Sequence, residues 1–274
     1  MEAKVRLIVF LSVLAGMLAW EHFVPRRVLS HKKLSRWLSN LGLNVVGAIL
    51  LRLTVGAAAY QAARFAEEGG WGLLNNAGFP PWLNPIIAFL VLDFAIYLQH
   101  VLSHALPVFW RLHRVHHSDL DFDTTTGIRF HPIEILVSML YKAGVVVALG
   151  APPGTVLVFE IVLNASSLFN HGNVHIPEGV DRFLRLFLVT PDMHRVHHSS
   201  EPEETNSNFG FSTSLWDRLC GTYRAEPAKG QLGVEIGLRE WRHPELLGFF
   251  QLFILPFRGW MGQYSFQKDS VERP

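Results

Sequence analysis

The sequence predicts an all-α protein, an integral membrane bundle of about four spanning or re-entrant helices with a histidine-rich, dimetal-binding part on one side. Three observations predict it. Hydrophobic residues make up 49% of the 274 positions and mean hydropathy is +0.22, which is high for a water-soluble domain of this length. Apolar stretches of helical length recur with short polar links between them. Ten of the 14 histidines fall in four clusters at helical spacing: His100 and His104; His113, His116 and His117; His171 and His175; His194, His197 and His198.

The apolar stretches are read in order. The first, 5–20, is followed by Arg26, Arg27, Lys32, Lys33 and Arg36. No small-residue cleavage site follows it, so it reads as a signal-anchor-like helix and not a removable leader. The second covers 38–60 and is interrupted by Arg52; the third covers 84–106. Two more form a hairpin, 133–149 and 155–169, joined by the APPG turn at 151–154. Both are shorter than the roughly 20 residues a full crossing takes, so they are expected to be tilted or re-entrant. The excess of Lys and Arg in 21–37 over 61–84 places the former loop in the cytoplasm. The third span then returns His100 and His104 to that side, and the hairpin returns His171 there. After residue 223, the stretch 246–260 is apolar and broken by proline, which suits an interfacial or docking helix rather than a span.

Helix geometry sharpens the histidine pattern. At about 100° per residue, His100 and His104 share a face, with Tyr97 and Asp93 about one and two turns before. Glu160, Asn164, Ser167 and His171 form a second polar stripe on an apolar helix. In H-R-V-H-H-S, which occurs from His113 and again from His194, the first and last histidines share a face and the middle one is offset by about 60°. One such segment can therefore serve two adjacent ions. Ten histidines exceed the ligand needs of one ion, and imidazole is the commonest metal ligand. Asp93, His131, Glu160, Asn164 and Asp192 are the candidates to support the ligands from behind, as carboxylates and amides often do. His22, His31 and His243 read as interfacial or surface residues. The one cysteine, Cys220, rules out an internal disulfide and an all-thiolate cluster, and is expected to be a buried small apolar residue.

The sequence contains no H-E-x-x-H, C-x-x-C-H, G-x-S-x-G or dinucleotide-binding glycine pattern. Net charge is +1, which suggests no nucleic-acid partner. Two metals held by neutral imidazoles suit iron able to bind O2, while zinc and copper also accept such ligands. Above apolar helices, such a centre would act on an unactivated C–H bond of a lipid. The alternative is a metal-transport or metal-binding membrane protein without redox catalysis. Transporters, however, usually place ligands between broken helices at the bilayer midplane, and here the histidines follow helix ends.

Together, H-x3-H, the two H-x2-H-H boxes, FWRLHRVHHSD, TTTGIRFHPIE, FNHGNVHIP, TPDMHRVHHS and NSNFGFSTSLWDRLCGTY resemble the membrane-bound histidine-box enzymes of the fatty acid hydroxylase/sterol desaturase superfamily. The resemblance spans about 85–225. It implies a non-haem di-iron oxygenase with a cytosolic helical cap, two Fe ions, O2 as co-substrate, a membrane lipid as substrate, and electrons from an external ferredoxin- or cytochrome-type donor and its reductase. It assigns His100, His104, His113, His116, His117, His171, His175, His194, His197 and His198 as ligands. The organisation expected is N-terminal membrane helices and a basic loop in 1–84, a catalytic part in 85–225, and an amphipathic tail in 226–274. Residues 1–84 leave no room for a fused haem module. The acidic stretch 201–208, with Glu201, Glu203 and Glu204, is expected to cover the site or to meet the electron donor.

Overall fold

The computed structural model describes residues 2–259. Beyond three isolated β-bridges, all regular structure among the described residues is helical. The first eight helices are α1 (Glu2–Phe23), α2 (Lys33–Thr54), α3 (Ala58–Gly69), α4 (Leu73–Asn76, a single turn), α5 (Leu83–Ala105), α6 (Pro107–His117), α7 (Pro132–Leu149) and α8 (Pro153–Asn170). Short helices α9 (Glu178–Leu184), α10 (Pro191–His197), α11 (Pro202–Thr205) and α12 (Leu215–Leu219) follow. Proline occupies the first turn of α6, α7, α8, α10 and α11, where its missing N–H costs nothing and its fixed φ suits a helix start.

Four segments are long and apolar enough to cross a membrane: α1, the 33–76 segment, α5 and α7. The chain is an integral membrane protein. Leu7, Ile8 and Leu11 of α1 and Leu38, Ile49 and Leu53 of α2 are exposed, as lipid-facing side chains are. The 33–76 segment is not one straight helix. Helix α2 ends at Thr54, Gly56 takes φ 57°, and α3 starts at Ala58. The expected second span thus stops six residues early, and part of the 61–84 stretch is α3 and α4. Ala59, Ala63 and Ala66 line the buried face of α3, and their small side chains let it lie against α7 and α8. Where its C-terminal link meets the α7–α8 turn, a Cβ on Gly72 would fall 2.1 Å from the Gly150 nitrogen, so only glycine fits there.

The expected hairpin is α7 and α8, within one or two residues at each end. Helix α8 packs on α1, α3 and α5, and its polar stripe keeps it out of the four candidate spans. The apolar core runs through Ala88, Leu92 and Ile96 of α5, Val146 and Leu149 of α7, and Val156 and Phe159 of α8. The described part of the 246–260 stretch is a short helix, Phe249–Ile254, between two 3-10 turns, Pro244–Leu247 and Leu255–Phe257, rather than one continuous helix. Leu252 and Leu255 dock against Leu43 and Val115, whereas Phe250 and Phe257 stay exposed. The end of the expected tail, 260–274, lies outside the described residues. Cys220 is exposed, contrary to expectation, because it terminates α12 just before the turn at Gly221.

Candidate metal centre

Nine of the ten clustered histidines converge in two groups. His100, His104, His113, His117 and His197 form one; His116, His171, His194 and His198 form the other. In each group every residue offers a ring nitrogen within 4.8 Å of the others, and all nine rings are buried. Helix α5 contributes His100 and His104. Helix α6 sends His113 and His117 to the first group and His116 to the second. The residue capping α8 is His171. Helix α10 sends His197 to the first group, and His194 and the capping His198 to the second. The two H-x-x-H-H segments therefore each straddle both groups, which abut: the rings of His117 and His198 stack with centroids 4.5 Å apart.

The nitrogen geometry fits ions. His171 Nε2 lies 3.1 Å from His116 Nε2, 3.1 Å from His198 Nε2 and 3.2 Å from His194 Nε2. One ring proton can bridge one such pair and not three. In the other group, His100 and His113 approach through Nε2 at 3.1 Å, and His104 and His117 at 3.2 Å, while His197 Nε2 has no hydrogen-bond partner. Ligand nitrogens bound at about 2.0–2.1 Å to a common ion stand about 3.0–3.4 Å apart, so the spacing suits shared coordination. Burial, reinforced by neighbouring rings, holds His116, His117, His194, His197 and His198 well below the usual histidine range, and burial pushes His171 down to about 3. The rings are therefore neutral, the ligating form.

Three of the outward ring nitrogens are held by backbone carbonyls. His100 Nδ1 donates to the Phe209 carbonyl at 2.7 Å, His171 Nδ1 to Ser167 at 2.7 Å, and His197 Nδ1 to Ser207 at 2.7 Å. These bonds place the second nitrogen, Nε2, toward the group centre. Two side chains also take part. Glu134 accepts from His113 Nδ1 at 2.6 Å, and Asn206 pairs with His104 Nδ1 at 3.2 Å. Neither was foreseen. Glu134 stands in the quoted HPIE string, in the first turn of α7, and an acidic residue so placed was a usable signal.

The five expected supporting residues sit elsewhere. Asp93 accepts from the Trp216 indole at 2.8 Å and ties α12 to α5. His131 caps α7, accepting from the Ile133 N–H at 3.2 Å. Asp192 pairs with Arg195 and with Arg26. Glu160 binds Lys142 at 2.6 Å and Arg6, and Asn164 donates to the Glu160 carbonyl at 2.8 Å. None of these five touches a clustered ring. His175 joins neither group. Helix α8 ends at His171, and Val174 pairs with Pro25 in an extended bridge, so the four-residue helical relation to His171 is lost. His175 is exposed, with Nδ1 3.3 Å from the Arg26 guanidinium. Nor is 201–208 a free acidic loop: Glu201 pairs with Arg239 and Lys229, and Glu204 is buried, accepting from the Ala228 N–H at 2.6 Å.

A cavity of about 300 Å³ opens below the rings of His100 and His113 and runs between α2, α5, α7 and α8. Ile96, Met139, Leu163 and Phe211 form apolar walls; Glu134 stands at the histidine end, and Arg6, Lys142 and Glu160 at the other.

The profile of the fatty acid hydroxylase family matches residues 85–222, half of the chain and the whole stretch that supplies the nine rings. The chain belongs to the fatty acid hydroxylase family. Among curated relatives, an ornithine lipid hydroxylase of Rhizobium tropici is 25% identical to this fatty acid hydroxylase family member over 84% of its chain and 70% of the relative. Human alkylglycerol monooxygenase is 30% identical over 70% of the chain and 42% of the relative. Rat cholesterol 25-hydroxylase is 28% identical over 52% of the chain and 49% of the relative. The chain thus spans less than half of the last two. All three are named as lipid hydroxylases or monooxygenases. No solved structure matches this family member.

Proposed function

We propose that the protein is a membrane-bound non-haem di-iron oxygenase that hydroxylates a C–H bond of a lipid, using O2 and electrons from a ferredoxin- or cytochrome-type donor. The observation that carries this reading is the pair of abutting, buried, all-histidine groups at the end of a cavity between membrane helices. His100, His104, His113, His117 and His197 would hold one iron, and His116, His171, His194 and His198 the other. Iron bound there supplies O2 activation and removal of hydrogen from an unactivated carbon.

The chain's own residues set the conditions for that chemistry. Neutral, buried rings cost no deprotonation on binding the metal. Glu134 fixes the tautomer of His113, whose ring borders the cavity, so the nitrogen it presents to the ion is the basic one. The apolar walls align an alkyl segment beneath His100 and His113 and keep water away from it. We favour hydroxylation over desaturation because the relatives are named for it. In this reading the catalytic part is 85–225 and the histidine groups face the cytoplasm.

The test is elemental analysis and Mössbauer spectroscopy on anaerobically purified, iron-loaded protein. The expected result is about two irons per chain in a coupled pair, in line with the two groups. A single ion, or zinc alone under iron-replete conditions, overturns the di-iron reading. A narrower expectation concerns Glu134. Its replacement by Gln removes the charged acceptor behind His113 and should weaken metal affinity about 10–100-fold. Competition with a chelator measures this, and unchanged retention would show that the contact does not tune the site.

A further inference from the structure

The far end of the cavity carries charges that the metal centre does not use. Glu160, midway along α8, receives Lys142 of α7 at 2.6 Å on one oxygen and Arg6 of α1 on the other. Only 4% of the Glu160 side chain and 10% of the Lys142 side chain are exposed, in the apolar part of the bundle. All three residues line the cavity that reaches His100 and His113. Ionised groups at such depth are costly, and mark substrate or ion pathways by default. A tie between helices needs one cation for one carboxylate. Here two cations share Glu160. Glu2 stands 3.9 Å from Arg6 and is not among the residues that line the cavity. Glu134, the other lining carboxylate, is engaged by His113. A purely hydrocarbon occupant would leave the spare N–H groups of Lys142 and Arg6 against methylene groups, which costs free energy with nothing in return.

We propose that Arg6 and Lys142, held apart by Glu160, form a subsite for an anionic oxygen group of the lipid, a carboxylate or a phosphate monoester. The inference rests on the lipid-hydroxylase reading and adds the substrate's polar terminus to it. Charge-assisted hydrogen bonds from two cations satisfy such a group. Asn164 and Ser167 continue the polar face of α8 from Glu160 toward His171, a rise of eleven residues or about 16 Å. The anionic end is thereby set well away from the histidine groups, and the alkyl chain lies between. Oxidation falls on a carbon remote from the anionic group, not next to it.

The test measures equilibrium binding of radiolabelled hexadecanoate, hexadecyl phosphate and hexadecanol to the iron-loaded full chain in phosphatidylcholine nanodiscs, under argon and without reductant. At least one anionic probe should bind about tenfold or more tightly than hexadecanol, as a gained charge-assisted hydrogen bond implies. Whichever anion binds better identifies the preferred group. Lys142→Met should lower binding of that probe to the level of hexadecanol, and Lys142→Arg should retain the preference. Equal binding of all three probes by the unaltered protein overturns the subsite, and this arm needs no variant to fold. A preference that survives both Lys142→Met and Arg6→Met overturns it as well. Selective binding without oxidation on adding O2 and reductant would sink the proposed reaction and leave the subsite standing. Oxidation of hexadecanol as readily as of the anions would do the reverse.

Discussion

Replacing His171 by alanine is expected to remove one metal equivalent per chain and to abolish lipid oxidation. His171 is the hub of the four-histidine group: its Nε2 is the atom that the other three approach within 3.1–3.2 Å. It is also the one ligand candidate supplied by α8, so no neighbour on that helix can take its place. The loss should exceed the about 10–100-fold that removing a supporting partner costs, because a ligand itself is gone. His175→Ala is the matched control. It lies on the same sequence cluster but is exposed and pairs with Arg26, so metal content and activity should stay at the level of the unaltered protein. Metal-to-protein ratios for the two variants, with circular dichroism to verify folding, decide the matter. Full metal retention in His171→Ala, or loss in His175→Ala, would refute the assignment of the two groups.

That control also marks how far sequence spacing reaches. Helical periodicity is a local property, so it correctly paired His100 with His104 on α5 and divided each H-x-x-H-H segment between two groups. It failed for His175 because a helix end is decided by what the chain meets next, here the bridge to Pro25. Long-range partners were the least legible. The carbonyls of Phe209, Ser167 and Ser207 hold rings through backbone atoms, which leave no residue-type signature. The five basic residues of 21–37 show the opposite difficulty, since one composition carries two meanings. Arg26 pairs with Asp192, Arg27 donates to the Val234 carbonyl at 2.8 Å, and Arg36 is buried among aspartates. Lys32 and Lys33 remain exposed. The N-terminal segment thus does more than anchor the chain: Glu21 accepts from the Thr124 N–H, after the second histidine cluster, and from the Asn173 N–H, within the third.

Arg36→Met is expected to destabilise the protein by about 3–5 kcal/mol, the usual result of stranding a buried charge. The guanidinium binds Asp119 twice, at 2.6 and 2.8 Å, and Asp123 at 2.7 Å, inside a pocket that Asn40 and Thr126 complete. Asp119 follows directly on the second histidine box. Beside it, Arg129 donates to the Val115 carbonyl at 2.8 Å, to Asn40 at 2.8 Å and to Ser118 at 2.8 Å, occupying the C-terminal end of α6 between His113 and His117. With Arg36 gone, Asp119 and Asp123 lose the cation they share and only Arg129 is left to offset Asp119, so the turn that fixes His116 and His117 loosens. Metal retention should fall along with stability, although no metal-binding atom has been changed. The pH dependence has a definite sign. Burial alone would raise the Asp119 carboxyl, but Arg36 and Arg129 hold it well below the usual carboxylate range. A carboxyl lowered on folding contributes its full stabilisation above its unfolded value of about 4 and loses it progressively as pH falls from there toward the lowered folded value. The unaltered protein should therefore lose stability on acidification below pH about 4, and Arg36→Met should show a weaker acid dependence from this site. Thermal unfolding in detergent across that range measures both. Equal melting temperatures for the two proteins at neutral pH would show that the aspartate network does not hold the site.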